Sequence, residues 1–325
     1  MDVLTIISRD LQKASTLFRV VQYLDYFNSR DIHFRFLQRK SLSRADLTSV
    51  RASDLLFNQK CLFNYSLAKR MIHESRRTLF DFDDAIFTRP GKPDSFITRL
   101  RERRRLKLWL TQSNVVTTPN QYLADYARKW SKVVEVIPMA IDLEQWRPPG
   151  REKTTNAAIV IGWAGAPVNI PLLESLNPIL TELVNKNKNL KIAVLSGQRP
   201  RLDVAYDYYP FEAGKEAEFV QKLDIGLLPL RKDEFSMGKS PIKAIQYLAC
   251  GVPVVGNVFG ATSEILNERN SIAVNTRDEW IDGLRRLIAQ PELIRSMGEA
   301  GREHVEAHHS MVQVREKFLK ILCAA

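Results

Sequence analysis

The stretch KSPIKAIQYLACGVPVVGNVFGATSEIL, residues 239–266, leaves the backbone few paths. Ser240-Pro241 suits a capping serine with proline at the first helical position, where its missing N–H costs nothing. Ile242, Ile245, Leu248 and Ala249 recur at helical spacing, so the helix has one apolar face to bury. Gly251 is placed to end that helix in the left-handed conformation, and Pro253 keeps it from resuming. Val254-Val255 is then a short buried strand leading to Gly256, and Gly260 precedes Thr262 and Ser263, either of which suits the cap of a second helix.

Such a helix starts beside the carboxyl end of a parallel strand, where open α/β sheets bind ligands and where exposed N–H groups favour anions. Lys239 and Lys243 lie four residues apart and can converge on one anionic group; the same spacing also fits two solvated lysines on a surface helix.

The rest of the chain alternates strand and helix. In the first half strands are expected at residues 3–8, 33–37, 115–117 and 133–137, with 78–84 a strand running into an acidic turn, and helices at 17–29, 99–110 and 121–130. Residues 41–75 show no clean period before 55–71, and 89–93 read as a loop. Residues 146–150, WRPPG, suit a linker. After it come strands at 159–161, 192–195, 225–228 and 272–274, and helices at 172–184, 219–223, 279–288, 291–307 and 311–322. The expected fold class is α/β, with two Rossmann-like domains over residues 1–147 and 152–305.

Length permits two cores, and 45% hydrophobic with 26% charged residues is ordinary for a globular protein. No apolar run is long enough to span a bilayer, the start lacks a signal-peptide pattern, and three scattered cysteines suit a reducing cytoplasm. The net charge of +11 is uneven, for residues 1–150 hold 26 Lys+Arg against 16 Asp+Glu. That one-sidedness suggests a nucleic acid, an anionic membrane face or a phosphorylated substrate.

The 239–266 stretch resembles the donor-binding signature of the retaining glycosyltransferases of family 4, which have the GT-B fold. Gly251, Pro253, Val254, Val255 and Glu264 match it, whereas Gly238 and Gln246 stand where the family usually has an acidic residue and a glutamate. A bacterial branch with glutamine at the second position is closer still, and FDFDDAIF at 80–87, VIPMAIDLEQW at 136–146, IGWAGAPVNIPLLE at 161–174 and DIGLLPL at 224–230 extend the resemblance. It implies two domains facing a central cleft, a last helix, about 308–325, packing back on the first domain, and metal-independent, retaining transfer of a sugar from a nucleotide diphosphate to a saccharide or lipid-linked acceptor. The setting implied is cytoplasmic bacterial surface polysaccharide or lipopolysaccharide synthesis, with no cofactor, no nucleic acid, and peripheral contact with the inner membrane face through the basic half.

On that resemblance the donor would meet Gly162, Trp163, Gly165, Lys239, Ser240, Lys243, Gln246, Gly260 and Glu264, with Gln246 at the ribose and Lys243 counted as catalytic. Arg9, Lys13 and Ser15 would supply contacts from the first domain, and Asp83 or Asp84 would position the acceptor hydroxyl. Each has a plainer alternative: turn capping for the aspartates and Glu264, strand-to-helix packing for Gly162 and Gly165. Asp81-Phe82-Asp83 spells a metal-binding DxD but falls in the wrong half for a donor site. Arg101 to Lys107 reads as a phosphate- or membrane-binding helix or as a solvated basic face. The spacing of His304, His308 and His309 suggests a metal pair, but no carboxylate or cysteine cluster supports it. A non-catalytic binding module and a nucleotide-sugar epimerase remain as alternatives; the module would be favoured by Gly238 and Gln246, while known nucleic-acid motifs are absent.

Overall fold

The computed structural model describes residues 1–41, 46–88, 96–150 and 158–325. The loop expected at 89–93 and the start of the second domain expected at 152 lie outside the described residues.

Two parallel sheets organise the chain. Strands β1 (Asp2–Ile7), β2 (His33–Gln38), β3 (Leu55–Gln59), β4 (Thr78–Asp81), β5 (Val115–Thr118) and β6 (Val134–Val136) form one, in the order β2-β1-β3-β4-β5-β6. Strands β7 (Ile159–Ala164), β8 (Leu190–Ser196), β9 (Tyr206–Pro210), β10 (Ile225–Leu228), β11 (Val254–Gly256) and β12 (Ser271–Ala273) form the other, in the order β12-β11-β10-β7-β8-β9. The intervening helices are α1 (Ala14–Arg19), α2 (Leu24–Asn28), α3 (Asp46–Ala52), α4 (Tyr65–Glu74), α5 (Phe96–Gln112), α6 (Gln121–Arg128), α7 (Ile170–Glu174) and α8 (Asn177–Lys186). They continue with α9 (Glu216–Val220), α10 (Glu234–Met237), α11 (Ile242–Ala249), α12 (Arg277–Ala289), α13 (Pro291–His308) and α14 (Met311–Ala324).

The chain forms two compact units. The first comprises residues 1–140, 233–240 and 311–325, the second residues 141–232 and 241–310. In the first unit the central strands are apolar on both faces: Leu4, Ile6, Leu56 and Phe80 join one core, Val3, Leu55, Phe57 and Leu79 the other. That double burial is what a parallel sheet covered by helices requires. Phe318 of α14 closes the second of these cores against Tyr23 and Phe27, at ring-centroid distances of 5.9 and 5.3 Å.

Each sheet has a topological switch point. The first grows from β1 to β2 on one side and then to β3 on the other, so the loops after β1 and β3 diverge at their carboxyl ends. In the second, β8 and β9 extend one side of β7, and β10 starts the other. The loops after β7 and β10 flank that point.

Several local expectations need correction. The helix expected at 17–29 is interrupted, because Val20 leaves the helical region at φ −136° and the Gln22 amide donates to the carbonyls of Phe18 (2.6 Å) and Ala140 (3.1 Å). The one expected at 172–184 breaks between α7 and α8, since the Pro178 ring would clash with the carbonyl a turn earlier in a continuous helix. Strands β3 and β9 were not legible. Ser240 does not cap α11: Pro241 is the capping residue, and the Ser240 hydroxyl accepts instead from the Asn120 amide at 2.8 Å. Beyond Gly260 lies a 3-10 turn, Gly260–Glu264, capped at Phe259; the Thr262 hydroxyl accepts from the Phe259 N–H and donates to its carbonyl, both at 2.7 Å.

Gly251 does end α11, at φ +73°, with the Val252 N–H donating to the Tyr247 carbonyl and the Gly251 N–H to that of Leu248. The same turn seats α13, for a Cβ at Gly298 would lie 2.1 Å from the Gly251 carbonyl oxygen. Gly298→Ala is therefore expected to lose about 1–3 kcal/mol of stability, because the obstructing atom is backbone and cannot rotate away. Gly150→Ala, with nothing within 4 Å of the added methyl, should melt with the parent in the same thermal or denaturant titration.

Candidate functional site

At the carboxyl edge of the first sheet, charge is drawn inward by strand ends. Arg19, from α1, is buried against Asp81 at the end of β4; its Nε donates to Oδ2 at 3.2 Å, and it also donates to the Ile137 carbonyl. The Thr117 hydroxyl donates to the other Asp81 oxygen at 2.7 Å. Just beyond β3, Lys60 adopts φ +45°, a left-handed conformation that costs a residue with a Cβ about 1–2 kcal/mol. Its N–H donates to the Asp81 carbonyl at 2.7 Å, and its ammonium lies 2.6 Å from both Asp83 Oδ1 and Asp84 Oδ2.

Burial alone would raise the Asp83 carboxyl, but the charge and hydrogen bond of Lys60, with Arg19 and the Ser15 hydroxyl, outweigh it and hold it below the usual carboxylate range. Lys60 is pushed the opposite way: the two carboxylates override burial and raise it well above an ordinary lysine. Asp83 is closed off at 8% side-chain exposure, whereas Asp84 keeps 29%. Of the pair, Asp84 is the one a ligand can reach.

The start of α1, after β1, is tied to the same edge. The Thr16 hydroxyl donates to Gln59 Oε1, and the Gln59 amide returns a hydrogen bond to the Ser15 carbonyl, both at 3.0 Å. This brings Lys13 near Lys60; burial first, then the charges of Lys60 and Arg9, lower its pKa, against the pull of Asp84 and Asp83. Arg9 itself is exposed. Asp83, Asp84, Lys13 and Ser15 are thus neighbours, and Lys60, which sequence reasoning missed, is what binds the aspartates. Its one local sign is a lysine directly after an apolar strand ending in polar Asn58-Gln59.

Both carboxylates of the DxD sequence are committed to their own cations, Asp81 to Arg19 and Asp83 to Lys60. No group of three histidine, cysteine or acidic side chains among the described residues is arranged to hold a metal ion. Lys239 and Ser240 also belong to the first unit. Asn120, the cap of α6, accepts from the Leu123 N–H at 2.9 Å and donates to the Gly238 carbonyl at 2.9 Å as well as to Ser240. Gly238 itself is tightly packed, since a Cβ there would lie 2.7 Å from Leu123.

In the second unit the decisive element is α11, which follows β10 at the switch point. Its Tyr247 hydroxyl accepts from the Ala164 N–H at the end of β7 (2.8 Å), and its ring lies where a Cβ on Gly226 would come within 2.6 Å. These contacts fix the rotation of the helix. Gln246 is buried, yet its Oε1 has no hydrogen-bond partner among the described residues. Lys243, one turn earlier on the same face, is partly buried, and burial lowers its pKa more than the charge of Glu216 raises it. An ammonium held in poor solvent and an amide oxygen without a donor together describe a place that gains from an anionic, hydroxyl-bearing ligand.

The glycines within and just after β7 have packing reasons. A Cβ at Gly162 would lie 2.2 Å from Leu223, and one at Gly165 would lie 2.2 Å from the buried Trp163 ring. Gly260, at φ +52°, opens the 3-10 turn, and Glu264 at its end is exposed. That turn is tied to α13 through His304, which bonds the Glu264 backbone; burial and then His308 lower its pKa.

Comparison with known proteins fits this architecture. The family described as glycosyl transferase-like matches residues 181–320, which include α11 and the 3-10 turn. The D-inositol 3-phosphate glycosyltransferase of Saccharomonospora viridis is 25% identical over 203 residues, covering 53% of this chain and 46% of that relative. The chain thus spans about half the length of the curated relatives it matches. Among solved structures, Anabaena Alr3699/HepE in complex with UDP-glucose superposes with a TM-score of 0.74 at 11% identity, over 100% of both chains. Sucrose-phosphate synthase of Thermosynechococcus elongatus does so at 0.73 and 13%, again over 100% of both. Residues 181–320 are thus similar to the glycosyl transferase-like family, and the chain has the fold of the GT-B structures it superposes on.

Removing Lys60 would strand two carboxylates, one of them buried. Lys60→Met is expected to destabilise the protein by roughly 3–5 kcal/mol near neutral pH. The native pair contributes stability above the ordinary carboxylate range, and that contribution is lost as pH falls through the lowered Asp83 value. The deficit of the variant should therefore shrink on acidification; urea titrations of both proteins at neutral and acid pH would measure it.

Proposed function

We propose that the protein is a retaining, metal-independent glycosyltransferase that moves a sugar from a nucleotide diphosphate donor to a saccharide or lipid-linked acceptor. The observation that carries the reading is the pairing, on one face of α11 inside the glycosyl transferase-like region, of Lys243 with the unpartnered Gln246 carbonyl. A diphosphate leaving group needs its growing charge neutralised; a poorly solvated ammonium and the free N–H groups of the first turn supply this. Gln246 Oε1 would accept from a ribose hydroxyl. Its neutrality in place of a carboxylate costs strength but keeps the direction of the hydrogen bond.

Uracil is the proposed base, since HepE is described in complex with UDP and with UDP-glucose. The proposed acceptor is a phosphorylated or lipid-linked saccharide, in keeping with the name of the curated relatives and with the Arg9 and Lys13 cations beside Asp84. Asp84, tethered by Lys60, would orient the acceptor hydroxyl. Retention follows if the hydroxyl attacks the face that the diphosphate leaves, with a phosphate oxygen taking its proton, so that no separate base is needed. The proposed setting is cytoplasmic, in the synthesis of a bacterial surface glycan.

A thermal-shift panel of UDP, GDP, ADP and TDP tests the donor. UDP should raise the melting temperature without magnesium, by mass action on the native state. Lys243→Ala should weaken UDP about 10- to 100-fold and Gln246→Ala about fivefold, the costs of a charged and a neutral hydrogen bond. Lys188→Ala, at an exposed position, should leave affinity unchanged. No response to any nucleoside diphosphate would sink the donor assignment.

Titration gives a second check. Because burial lowers the Lys243 pKa, its charge is lost at a lower pH than that of an ordinary lysine. UDP affinity should fall with rising pH before the usual lysine range is reached. Lys243→Arg should flatten that profile, as a guanidinium stays protonated throughout. Calorimetric titrations across the alkaline range would resolve the two.

A further inference from the structure

The chain leaves the second unit after β10, spends residues 233–240 in the first, and returns to the second at Pro241, the residue that caps α11. A segment this short, with only α10 as regular structure, has no core of its own, so the first unit must hold it. Phe235 packs against the core that includes Phe87 and Leu123. Asp233 caps α10 by accepting from the Ser236 N–H at 2.8 Å. Gly238 lies so close that a Cβ there would also come within 3.3 Å of Ala85, and any side chain would push the segment away.

Asn120 fastens the end of this segment. It is buried, and its amide has an acceptor oxygen and two N–H groups to satisfy. The oxygen caps α6 at the Leu123 N–H. The nitrogen spends its bonds on the segment, one on the Gly238 carbonyl and one on the Ser240 hydroxyl. Asn64 shows what capping alone requires: it accepts from the Leu67 N–H at 2.8 Å at the start of α4, and it does so at an exposed position. Burial and the two Nδ2 bonds are therefore additions to the capping role of Asn120.

We propose that Asn120 is a positioning residue for the donor site. By gripping Gly238 and Ser240 it fixes the backbone on which Lys239 stands and from which α11 starts. Between Ser240 and the first helical residue, Ile242, stands only Pro241, at φ −78°, whose ring allows that angle little play. Order imposed at Ser240 is thus passed to the first-turn N–H groups and to Lys243. If the segment were released, a diphosphate would have to order it on binding, and affinity would fall by that cost. The proposal rests on the assignment of Lys243 and Gln246 to the donor.

The test makes one substitution at two caps. Serine caps a helix as well as asparagine does, so Asn120→Ser keeps the Leu123 bond but is too short to hold Gly238 and Ser240. UDP affinity, measured by calorimetry, should fall roughly tenfold, the worth of two neutral hydrogen bonds felt in part. Ser240→Ala, which removes one of those bonds and no cap, should cost roughly threefold. Asn64→Ser should bind UDP like the parent. In Asn120→Ser the Gly238 and Lys239 amides, which donate to the Phe235 and Ser236 carbonyls, should also exchange with solvent faster. Parental UDP affinity in Asn120→Ser, with Lys243→Ala still weakened, would overturn the positioning role and leave the donor site standing, even if the melting temperature fell. If Asn120→Ser does not fold, Ser240→Ala decides by the same criterion. No UDP binding by the parent itself would remove the donor assignment and this role with it.

Discussion

A charge taken out of water must meet its opposite, and the first unit is built around two cases of that requirement. Arg19 and Asp81 are both buried, so the helix after β1 and the end of β4 are held in one arrangement by the cost of separating them. Lys60 repeats the constraint one strand away, clamping Asp83 and Asp84 while holding a backbone conformation that its own Cβ disfavours. The Gln59 amide extends the network to the start of α1, at Lys13 and Ser15. The result is a rigid edge with one carboxylate, Asp84, left partly open to solvent.

The second unit works by different means. Here a helix is fixed by shape: Tyr247 needs glycine at 226 to lie flat on β10 and needs the Ala164 N–H as a donor for its buried hydroxyl. Gly251 ends the helix, and Gly298 lets α13 close over that end. With the helix locked, Lys243 is held partly buried and Gln246 keeps an Oε1 without a partner among the described residues, the condition in which binding a charged, hydroxylated ligand gains most. Rigidity made by packing keeps unsatisfied polar groups from relaxing onto one another.

The charge asymmetry of the chain finds a local expression in α5. Helical spacing alone could not tell which part of α5 belongs to the core, because the discriminating fact is that Phe96, Ile97 and Leu100 are exposed while Leu106, Leu108, Trp109 and Leu110 are buried. Burial at one end of a helix and exposure at the other is a property of its surroundings.

What the residues determined by themselves was local: the αL turn at Gly251, the break before Pro253, the short apolar strands, and the alternation that makes both sheets parallel. These follow from backbone sterics and from the period of apolar side chains, which act within a few positions. Asp83 and Asp84 stand out in the sequence as aspartates after a strand. Lys60 does not, since its partners lie 23 and 24 residues on and its strand has no alternating pattern. For the same reason Ser240 looked like a helix cap, although tertiary structure engaged its hydroxyl with Asn120, distant in sequence. Which polar groups are paired, and which are left wanting a ligand, depends on long-range contacts and on the desolvation they impose; only the folded chain decides that.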